Sequence, residues 1–308
     1  MSSFFCLCGS CCGGSSFEIE TFATHPTKTP AKSYRQIAGG MAANAAICLA
    51  KLGQPVHLIG RVGDDAAGAF LQAALSEMGV VQRLEQVPGG HTSVSSVIVD
   101  ARGERQIFNH RGDALAKAAP LSTRSLQGAL AVLTDPRWGD GAAAALIWAR
   151  EFGVLSMLDA DVAPQQVLQR LVPLAQWAVF SQPGLDSYAP EALTRQAALS
   201  AALDAGARHA AVTLGERGVM WMHADERVLY QHSAFAIEAV DTTGAGDVFH
   251  AALLFALSEM PALRSPAHER QAMRFACAAA ALKCTQRDGA YGAPTRAQVL
   301  QFLDTHPA

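Results

Sequence analysis

The stretch Asp241-Thr242-Thr243-Gly244-Ala245-Gly246-Asp247 leads directly into an apolar run, Val248 to Ala256, that is typical of a buried helix. Gly244 and Gly246 have no side chains, so backbone N–H groups at the start of this helix can approach an anion closely. The positive end of the helix dipole suits a phosphoryl group. Asp247 falls beside that anion site, where a carboxylate can accept the proton of an attacking hydroxyl. The stretch therefore predicts a phosphoryl-transfer centre with Asp247 as its base.

Two further segments combine glycines with polar side chains in predicted turns next to helices and strands. Gly39-Gly40 precedes a helix from Met41 to Leu52, and Asn44 offers both a donor and an acceptor to a hydroxyl. The segment Thr213-Leu-Gly215-Glu-Arg-Gly218 ends a predicted strand and supplies a hydroxyl and flexible backbone, as a nucleotide-phosphate loop would. Each segment also has a purely structural interpretation. Gly39-Gly40 could form a tight turn with Asn44 facing solvent, and the segment from Thr213 could be a simple β-turn. In the first stretch, Thr243 could cap the helix and Asp247 could only complement the helix dipole.

Short apolar runs alternate with helical stretches along the chain, which is typical of an α/β fold with a mainly parallel sheet between helices. Strands are predicted near Phe4–Gly9, Val56–Gly60, Ala129–Leu133, Leu155–Asp159, Ala178–Ser181 and His209–Leu214. Helices are predicted near Met41–Leu52, Ala66–Met78, Ala142–Glu151, Pro164–Leu171, Pro190–Ala205, Gly246–Ser258 and His268–Cys284. Two inserts, about 16–37 and 91–110, alternate with period two, so we expect a small antiparallel lid on a single domain spanning 1–308.

The composition restricts the classes of function. Half of the 308 residues are hydrophobic and 17% are charged, which excludes global disorder. The net charge is −3, and Lys and Arg are scattered, so we expect a small-molecule substrate rather than a nucleic acid. The longest apolar runs are shorter than the roughly 18 residues of a membrane span. With no basic residue before Lys28 to suggest a secretory signal, we expect a cytoplasmic protein.

Four of the seven cysteines crowd into Cys6, Cys8, Cys11 and Cys12. One interpretation is a metal or redox site, and the other is a buried strand that runs into a turn. A strand directs Cys6 and Cys8 to the same face, and the neighbouring sequence has no histidine to complete a tetrahedral zinc set. The pattern therefore favours the buried strand.

In this order and spacing, the three glycine-rich segments resemble the ribokinase-like (PfkB) family of carbohydrate kinases. The resemblance covers roughly residues 3–303, with Gly39 to Gly53 similar to the N-terminal family signature and Asp241 to Ala256 similar to the C-terminal one. It implies a central sheet between helices, a β-lid over a sugar, ATP with Mg²⁺, and frequent homodimerisation through the lid. It also implies that Asp247 is the base and that the amides of Gly244, Ala245 and Gly246 form the anion hole.

The resemblance extends to the substrates and ions that the site would hold. It implies that Gly39, Gly40 and Asn44 contact the sugar. The residues expected along ATP are Thr213, Gly215, Gly218, Ala279 and Lys283. Asp241 and Thr243 match positions that hold a monovalent cation such as K⁺ in some members.

A narrower resemblance, to bacterial 6-deoxy-6-sulfofructose kinases, lies in Asp135–Gly141, Leu158–Pro164 and Phe180–Leu185. It implies phosphorylation of O1 of a ketose and matches Arg137 and Asn109 to sulfonate-contacting positions. A planar guanidinium can grip a tetrahedral anion with two N–H groups, although Arg137 could instead stack at the surface beside a tryptophan.

The chain also departs from the family pattern. The segment from Cys11 to Ser16 has no Asp where the family has a sugar-binding one, and no Asn-x-x-Glu, which is linked to Mg²⁺, falls near Gln182 to Asp186. Fructose, a sugar phosphate, ribose and a nucleoside therefore stay open as substrates. A catalytically weak sugar or nucleotide sensor with a kinase fold is the alternative from another functional class.

Overall fold

The computed structural model describes residues 3–102, 104–116, 121–259 and 265–307, with the Arg105 side chain excluded. Its strands are β1 (Phe4–Cys8), β2 (Cys12–Glu18), β3 (Ser33–Gly39), β4 (Val56–Gly63), β5 (Val81–Val87), β6 (Val94–Val99), β7 (Arg105–His110), β8 (Ala129–Thr134), β9 (Leu155–Ala160), β10 (Trp177–Ser181), β11 (His209–Thr213), β12 (Val219–His223) and β13 (Leu229–His232). Its α-helices are α1 (Met41–Lys51), α2 (Ala66–Glu77), α3 (Gly139–Glu151), α4 (Gln165–Leu171), α5 (Gln182–Tyr188), α6 (Arg195–Ala205), α7 (Ala245–Ser258), α8 (Pro266–Cys284) and α9 (Arg296–Thr305).

The larger sheet has the order β13-β12-β11-β10-β9-β8-β1-β4-β5. The strands from β5 to β11 in this order are parallel, and β12 and β13 continue it in antiparallel fashion. Successive side chains of β1 enter different clusters: Phe5 and Leu7 pack with α1 and α7, whereas Cys6 and Cys8 pack with α3. Both faces of the sheet are therefore covered by helices, and the predicted α/β architecture is confirmed.

The smaller sheet has the order β3-β2-β6-β7 and forms the lid. The pairs β2/β3 and β6/β7 are antiparallel, as expected, but β2 and β6 run parallel because they come from separate excursions of the chain. The first excursion is also wider than the predicted 16–37, since β2 begins at Cys12 and β3 ends at Gly39. The lid is therefore a mixed sheet, with two antiparallel hairpin-like pairs joined by one parallel pairing.

Several elements differ from the sequence-based expectations. A helix was expected from Pro190, but α6 begins at Arg195, where the Thr194 side chain accepts a hydrogen bond from the Ala197 N–H. The strands β5, β12 and β13 and the helices α5 and α9 were not predicted. In α5, a proline and a glycine in the first turn hide the helical pattern, although the Ser181 side chain caps the helix.

The cysteine cluster is a buried strand and turn, as the pattern favoured. Cys6 and Cys8 are completely buried in β1, and Cys11 is buried in the following turn. Burial raises the pKa of the Cys6 and Cys11 thiols to about 12, so both are protonated and unreactive near neutral pH. Within the described ranges, no group of three or more His, Cys, Asp or Glu side chains is arranged to hold a metal ion.

Across the described residues, every helix is too short or too polar to cross a membrane.

Candidate active site

The start of α7 has an open backbone arrangement that can receive an anion. Gly244 precedes the helix in the left-handed region, with φ of 76°, a conformation that favours glycine. The Ala245 N–H donates to the Thr242 carbonyl, and the Val248 N–H donates to the Gly244 carbonyl. The N–H groups of Gly246 and Asp247 lie between them, in the first turn, where a helix offers no acceptors of its own. A Cβ on Gly246 would meet no atom within 4 Å, so the space beside these amides is open.

The two family-like segments meet at one hydrogen bond. The Asn44 side chain, one turn into α1, donates through Nδ2 to Oδ2 of Asp247 at 2.6 Å. The helices α1 and α7 are packed together below this contact, where Cys48 Sγ lies 3.9 Å from the Val248 carbonyl. The partly exposed Asn44 side chain is therefore directed at Asp247, and it orients the carboxylate that lies next to the open amides.

The surroundings of Asp247 disfavour its charged form. Burial is the main cause, and the nearby carboxylate of Asp159 adds repulsion, so the pKa of Asp247 lies well above its usual range. The hydrogen bond from Asn44 and the proximity of His250 act in the opposite direction without cancelling these effects. A carboxylate with a raised pKa is a stronger proton acceptor when ionised, which suits a general base.

His250 ties the start of α7 to the ends of two strands. Its Nδ1 lies 2.6 Å from the Gly246 carbonyl, and its Nε2 lies 3.1 Å from the Val179 carbonyl and 3.4 Å from Asp159 Oδ1. Burial raises the pKa of Asp159 and lowers the pKa of His250. Asp159 and His250 were not proposed as site residues, although Asp159 ends a predicted apolar strand, which is where parallel sheets place their ligands.

The Gly39-Gly40 turn packs closely against the segment that follows β1. Gly40 has φ of 99°, and a Cβ there would lie 2.7 Å from both the Cys11 Cα and the Ser10 carbonyl oxygen. A Cβ on Gly39 would lie 3.3 Å from the Cys12 sulfur. These glycines allow β3 and α1 to pass close to the segment after β1, and a sugar contact by their backbone stays a prediction.

The expected nucleotide residues occupy different surroundings. Thr213 is the last residue of β11, and the exposed Gly215 follows it. A Cβ on Gly215 would meet no atom within 4 Å, so a ligand can approach there. Gly218 is buried, and a Cβ on it would lie 2.0 Å from the His232 carbonyl oxygen, so only glycine lets this turn pack against the end of β13. Ala279 is completely buried in α8.

The Lys283 side chain contacts Asp241, and the expected adenine contact of the Ala279–Lys283 stretch stays a prediction. The Lys283 side chain is completely buried, and its Nζ donates to the Asp241 carbonyl at 2.6 Å and lies 3.2 Å from Asp241 Oδ2. Asp241 Oδ1 also accepts the Thr243 N–H, and Oδ2 accepts the Gly289 N–H. The side chain of Lys283 therefore lies beside Asp241, which also holds Thr243 just before the Gly244 turn.

Each of the two residues expected to contact a sulfonate has its own protein partners. Arg137 donates to the Val162 carbonyl at 2.8 Å and to Asp161 Oδ2 at 3.2 Å. Asn109, on the lid, donates to Ser95 Oγ at 2.8 Å. Arg137 thus lies at the carboxyl edge of the large sheet with its charge balanced by Asp161.

A sequence profile for "pfkB family carbohydrate kinase" matches residues 10–296. The chain belongs to this family. A crystal structure of a putative ribokinase from Agrobacterium tumefaciens superposes with a TM-score of 0.91 at 31% identity, covering 99% of this chain and 98% of the other. Arabidopsis thaliana ribokinase complexed with ribose and ATP gives a TM-score of 0.84 at 27% identity, covering 98% and 99%. A probable fructokinase-3 from Arabidopsis thaliana is 27% identical, covering 86% of this chain and 82% of its own length.

Membership in the pfkB family makes this chain a phosphotransferase that acts on a sugar hydroxyl. The two departures from the family pattern lie in the lid and at the start of α5. Gly14 pairs with Ile37 in the lid, and a Cβ there would lie 2.9 Å from Ile37 Cγ1. The stretch from Gln182 to Asp186, where the Asn-x-x-Glu was expected, forms the first part of α5, which the Ser181 side chain caps.

Proposed function

We propose that this kinase transfers the γ-phosphate of ATP to a primary hydroxyl of a sugar, with Asp247 as the general base. The observation that carries the proposal is the 2.6 Å hydrogen bond from Asn44 to Asp247, which aims the carboxylate at the open start of α7. A hydroxyl beside Asp247 would lose its proton to the carboxylate while its oxygen attacks the phosphorus. The N–H groups of Gly246 and Asp247 would stabilise the charge that develops on the phosphoryl oxygens.

The nucleotide would lie along the turn after β11, at the carboxyl edge of the sheet. Thr213 and the open Gly215 are the residues proposed to face the phosphates, and Gly218 shapes the turn behind them. Open α/β sheets bind ligands at this edge, which supports the placement. The complex of Arabidopsis ribokinase with ribose and ATP supports ATP as the donor.

Magnesium would enter on the nucleotide phosphates. Mg²⁺ keeps several waters and is usually held by one or two carboxylates together with phosphate oxygens, so a complete cage of protein ligands is not required. Asp161 is the carboxylate proposed to face it: it follows β9 and is one-third exposed, and its Oδ1 accepts the Ser181 hydroxyl at 2.7 Å. A potassium ion is not part of the proposal, because the Lys283 ammonium already lies beside the Asp241 carboxylate.

The proposed sugar site lies under the inner face of the lid. Ile37, Gly14, Ser95 and Asn109 form one row across its four strands. The inner face also borders a cleft of ≈ 440 Å³. That cleft is lined from the lid by Ser16, Ile37 and Val97 and from the opposite side by Asp241, Thr243 and Gly289. The polar groups of the row are a hydroxyl and an amide, which suit neutral sugar hydroxyls.

The finer substrate is a ketose phosphorylated at O1, and 6-deoxy-6-sulfofructose is the candidate that Arg137 would favour. A sulfonate would have to share the guanidinium with Asp161, which lies 3.2 Å away. Fructose and ribose make no such demand, and the likeness to the probable fructokinase-3 and to ribokinase supports them as competing substrates. Comparison of anionic and neutral ketoses separates these proposals.

Dimerisation through the outer face of the lid is part of the proposal. Tyr34, Val94 and Phe108 lie on that face with 53%, 38% and 57% of their surface exposed. A second lid packed against them would remove these apolar side chains from water. The reaction is placed in the cytoplasm, where its ATP is available. Sedimentation at micromolar concentration tests the dimer, and Phe108→Ser should shift the equilibrium toward monomer.

The deciding experiment measures ADP release with ATP, Mg²⁺ and a panel of neutral and anionic sugars. We expect turnover with at least one sugar, and we expect Asp247→Asn to reduce kcat by about 100-fold or more, because general-base catalysis is lost. Titration of an ATP analogue controls for folding and should give the same affinity in both proteins. Equal turnover in the variant would overturn the role of Asp247, whereas tight sugar binding without turnover would favour the sensor alternative.

A further inference from the structure

Lys283 places a positive charge beneath the anion-binding turn. It lies near the end of α8, and its side chain is completely buried. Its Nζ is 2.6 Å from the Asp241 carbonyl oxygen, 3.2 Å from Asp241 Oδ2 and 3.5 Å from the Gln286 carbonyl oxygen. The ammonium thus contacts one carboxylate and two backbone oxygens, which come from the Asp241 segment before the turn and from the loop after α8.

These two segments are bound to each other at several further points. The N–H groups of Val240 and Asp241 both donate to the Cys284 carbonyl, and the Gly289 N–H donates to Asp241 Oδ2 at 3.1 Å. The next residue, Ala290, has its backbone nitrogen 3.4 Å from where a Cβ on Gly244 would lie. The position of the left-handed Gly244 turn therefore depends on how the loop after α8 is held against Asp241.

The Asp241 carboxylate is half-buried, so its negative charge requires a positive charge nearby. Burial acts to raise its pKa, but the Thr243 and Gly289 hydrogen bonds and the Lys283 ammonium lower it overall, so Asp241 is ionised. A half-buried carboxylate without a counter-charge would repel the phosphates next to it. Carboxylate and carbonyl oxygens converging from two segments form the ligand set of a small cation, and here the ammonium lies among them.

We propose that Lys283 is a tethered monovalent cation, which holds the anion-binding turn in place and makes the reaction independent of added K⁺. The inference rests on the proposed function, since it concerns the same turn. It departs from the family resemblance, which implied an exchangeable cation held by Asp241 and Thr243. Lys283 is a positioning residue: it acts through Asp241 and the backbone of the turn, and it does not touch the reacting atoms.

Lys51 provides a matched control, because it is another lysine that holds the same loop. Its Nζ donates to the Tyr291 carbonyl and, at 3.2 Å, to the Ala293 carbonyl. Removal of Lys51 takes away an ammonium from the loop without exposing the Asp241 carboxylate. A cation that restores Lys283→Ala but not Lys51→Ala therefore acts at the Asp241 site and not through general stabilisation of the loop.

The experiment compares wild type, Lys283→Ala and Lys51→Ala in tetramethylammonium buffer, with and without 100 mM K⁺ or ammonium, roughly the concentration at which weak cation sites fill. Wild-type kcat should change less than twofold. Lys283→Ala should lose at least tenfold in kcat and recover most of it with K⁺ or ammonium, whereas Lys51→Ala should show no such recovery. The melting temperature of Lys283→Ala should rise with K⁺ more than that of the other two proteins.

Each other outcome overturns one proposal or the other. Activation of wild type by K⁺ of about fivefold or more would mean that the ammonium does not replace the cation. Failure of both K⁺ and ammonium to restore kcat or the melting temperature of Lys283→Ala would reduce Lys283 to a structural role. Absence of turnover by wild type with every sugar would overturn the proposed function, and the melting temperatures would then decide the role of Lys283 separately.

Discussion

Replacement of Asn44 by alanine should move the acid limb of the kcat/KM profile to higher pH. Asn44 donates to Asp247 Oδ2 at 2.6 Å, and this hydrogen bond lowers the pKa of a carboxylate that burial and Asp159 otherwise raise. The base works only when it is ionised. Without this donor, the pKa of Asp247 should rise further because burial and the repulsion by Asp159 remain. Asp247 should then hold its proton to a higher pH, and activity at low pH should fall.

The size of the shift follows from the energy of the contact. A hydrogen bond to a charged group contributes about 1.5–3 kcal/mol, and one pKa unit corresponds to about 1.4 kcal/mol. The acid limb should therefore move by about 1–2 pH units. Well above the pKa, the carboxylate is ionised in both wild type and Asn44→Ala. The remaining difference in kcat/KM should then reflect only the lost orientation of the carboxylate.

The assay is kcat/KM from pH 5 to 10 with saturating ATP, and Asn44→Asp is the matched variant because it has the same shape. A second carboxylate at 2.6 Å from Asp247 should raise the pKa of the pair further than alanine does. Melting temperatures and ATP-analogue affinity exclude misfolding. An acid limb at the same pH in all three proteins would refute the role of this hydrogen bond in setting the base.

Three further predictions concern the same edge of the sheet. Gly246→Ala should keep or raise the free energy of unfolding, by roughly 0.5–1 kcal/mol from helix propensity. It should nevertheless reduce kcat at least tenfold, because the methyl group enters the open space beside the amides. A melting temperature by calorimetry that falls together with kcat would contradict this. Arg137→Ala should raise KM about tenfold for an anionic ketose and leave a neutral one unchanged, with the exposed Arg170→Ala, paired to Asp140, as control; equal effects on both sugars would remove Arg137 from an anion site. Because the pKa of Asp247 is raised in the folded state, its ionisation costs stability as pH rises above the unfolded value of about 3.9. The melting temperature of Asp247→Asn relative to wild type should therefore increase from pH 4 to pH 8, and a decrease would show that the pKa is not raised.

The fold was predictable where local pattern and tertiary role agree. The Ala-rich helix α1 and the apolar parallel strands such as β9 have clear hydrophobic patterns in the sequence. Every residue of β9 is buried, so its mostly hydrophobic sequence marks the strand. The strand β13 is short, polar and half-exposed, so its sequence is indistinguishable from a loop. It forms because β12 offers an antiparallel partner, which is a tertiary fact.

The site was predictable as two separate segments but not as one geometry. Asn44 and Asp247 are each visible in glycine-rich signatures, yet the hydrogen bond between them depends on how α1 packs against α7. Lys283 shows the reverse case. A lysine near the end of a helix is ordinarily exposed, and only the loop that folds over it after α8 makes it a buried partner of Asp241.

The lid explains why the reaction is better defined than the sugar. At Gly14 an added Cβ would lie 2.9 Å from Ile37 Cγ1 and 3.0 Å from the Ile37 carbonyl oxygen, so a carboxylate there requires Ile37 to move. The same row across the sheet continues into Ser95 and Asn109, which already share a hydrogen bond of 2.8 Å. At this row the lid therefore offers neutral hydroxyl and amide groups. Charged side chains lie farther along the same cleft, at Glu18 and Arg35, and at the edge of the large sheet, where Arg137 and Asp161 are paired. A charge that discriminates between sugars has to come from one of these two places.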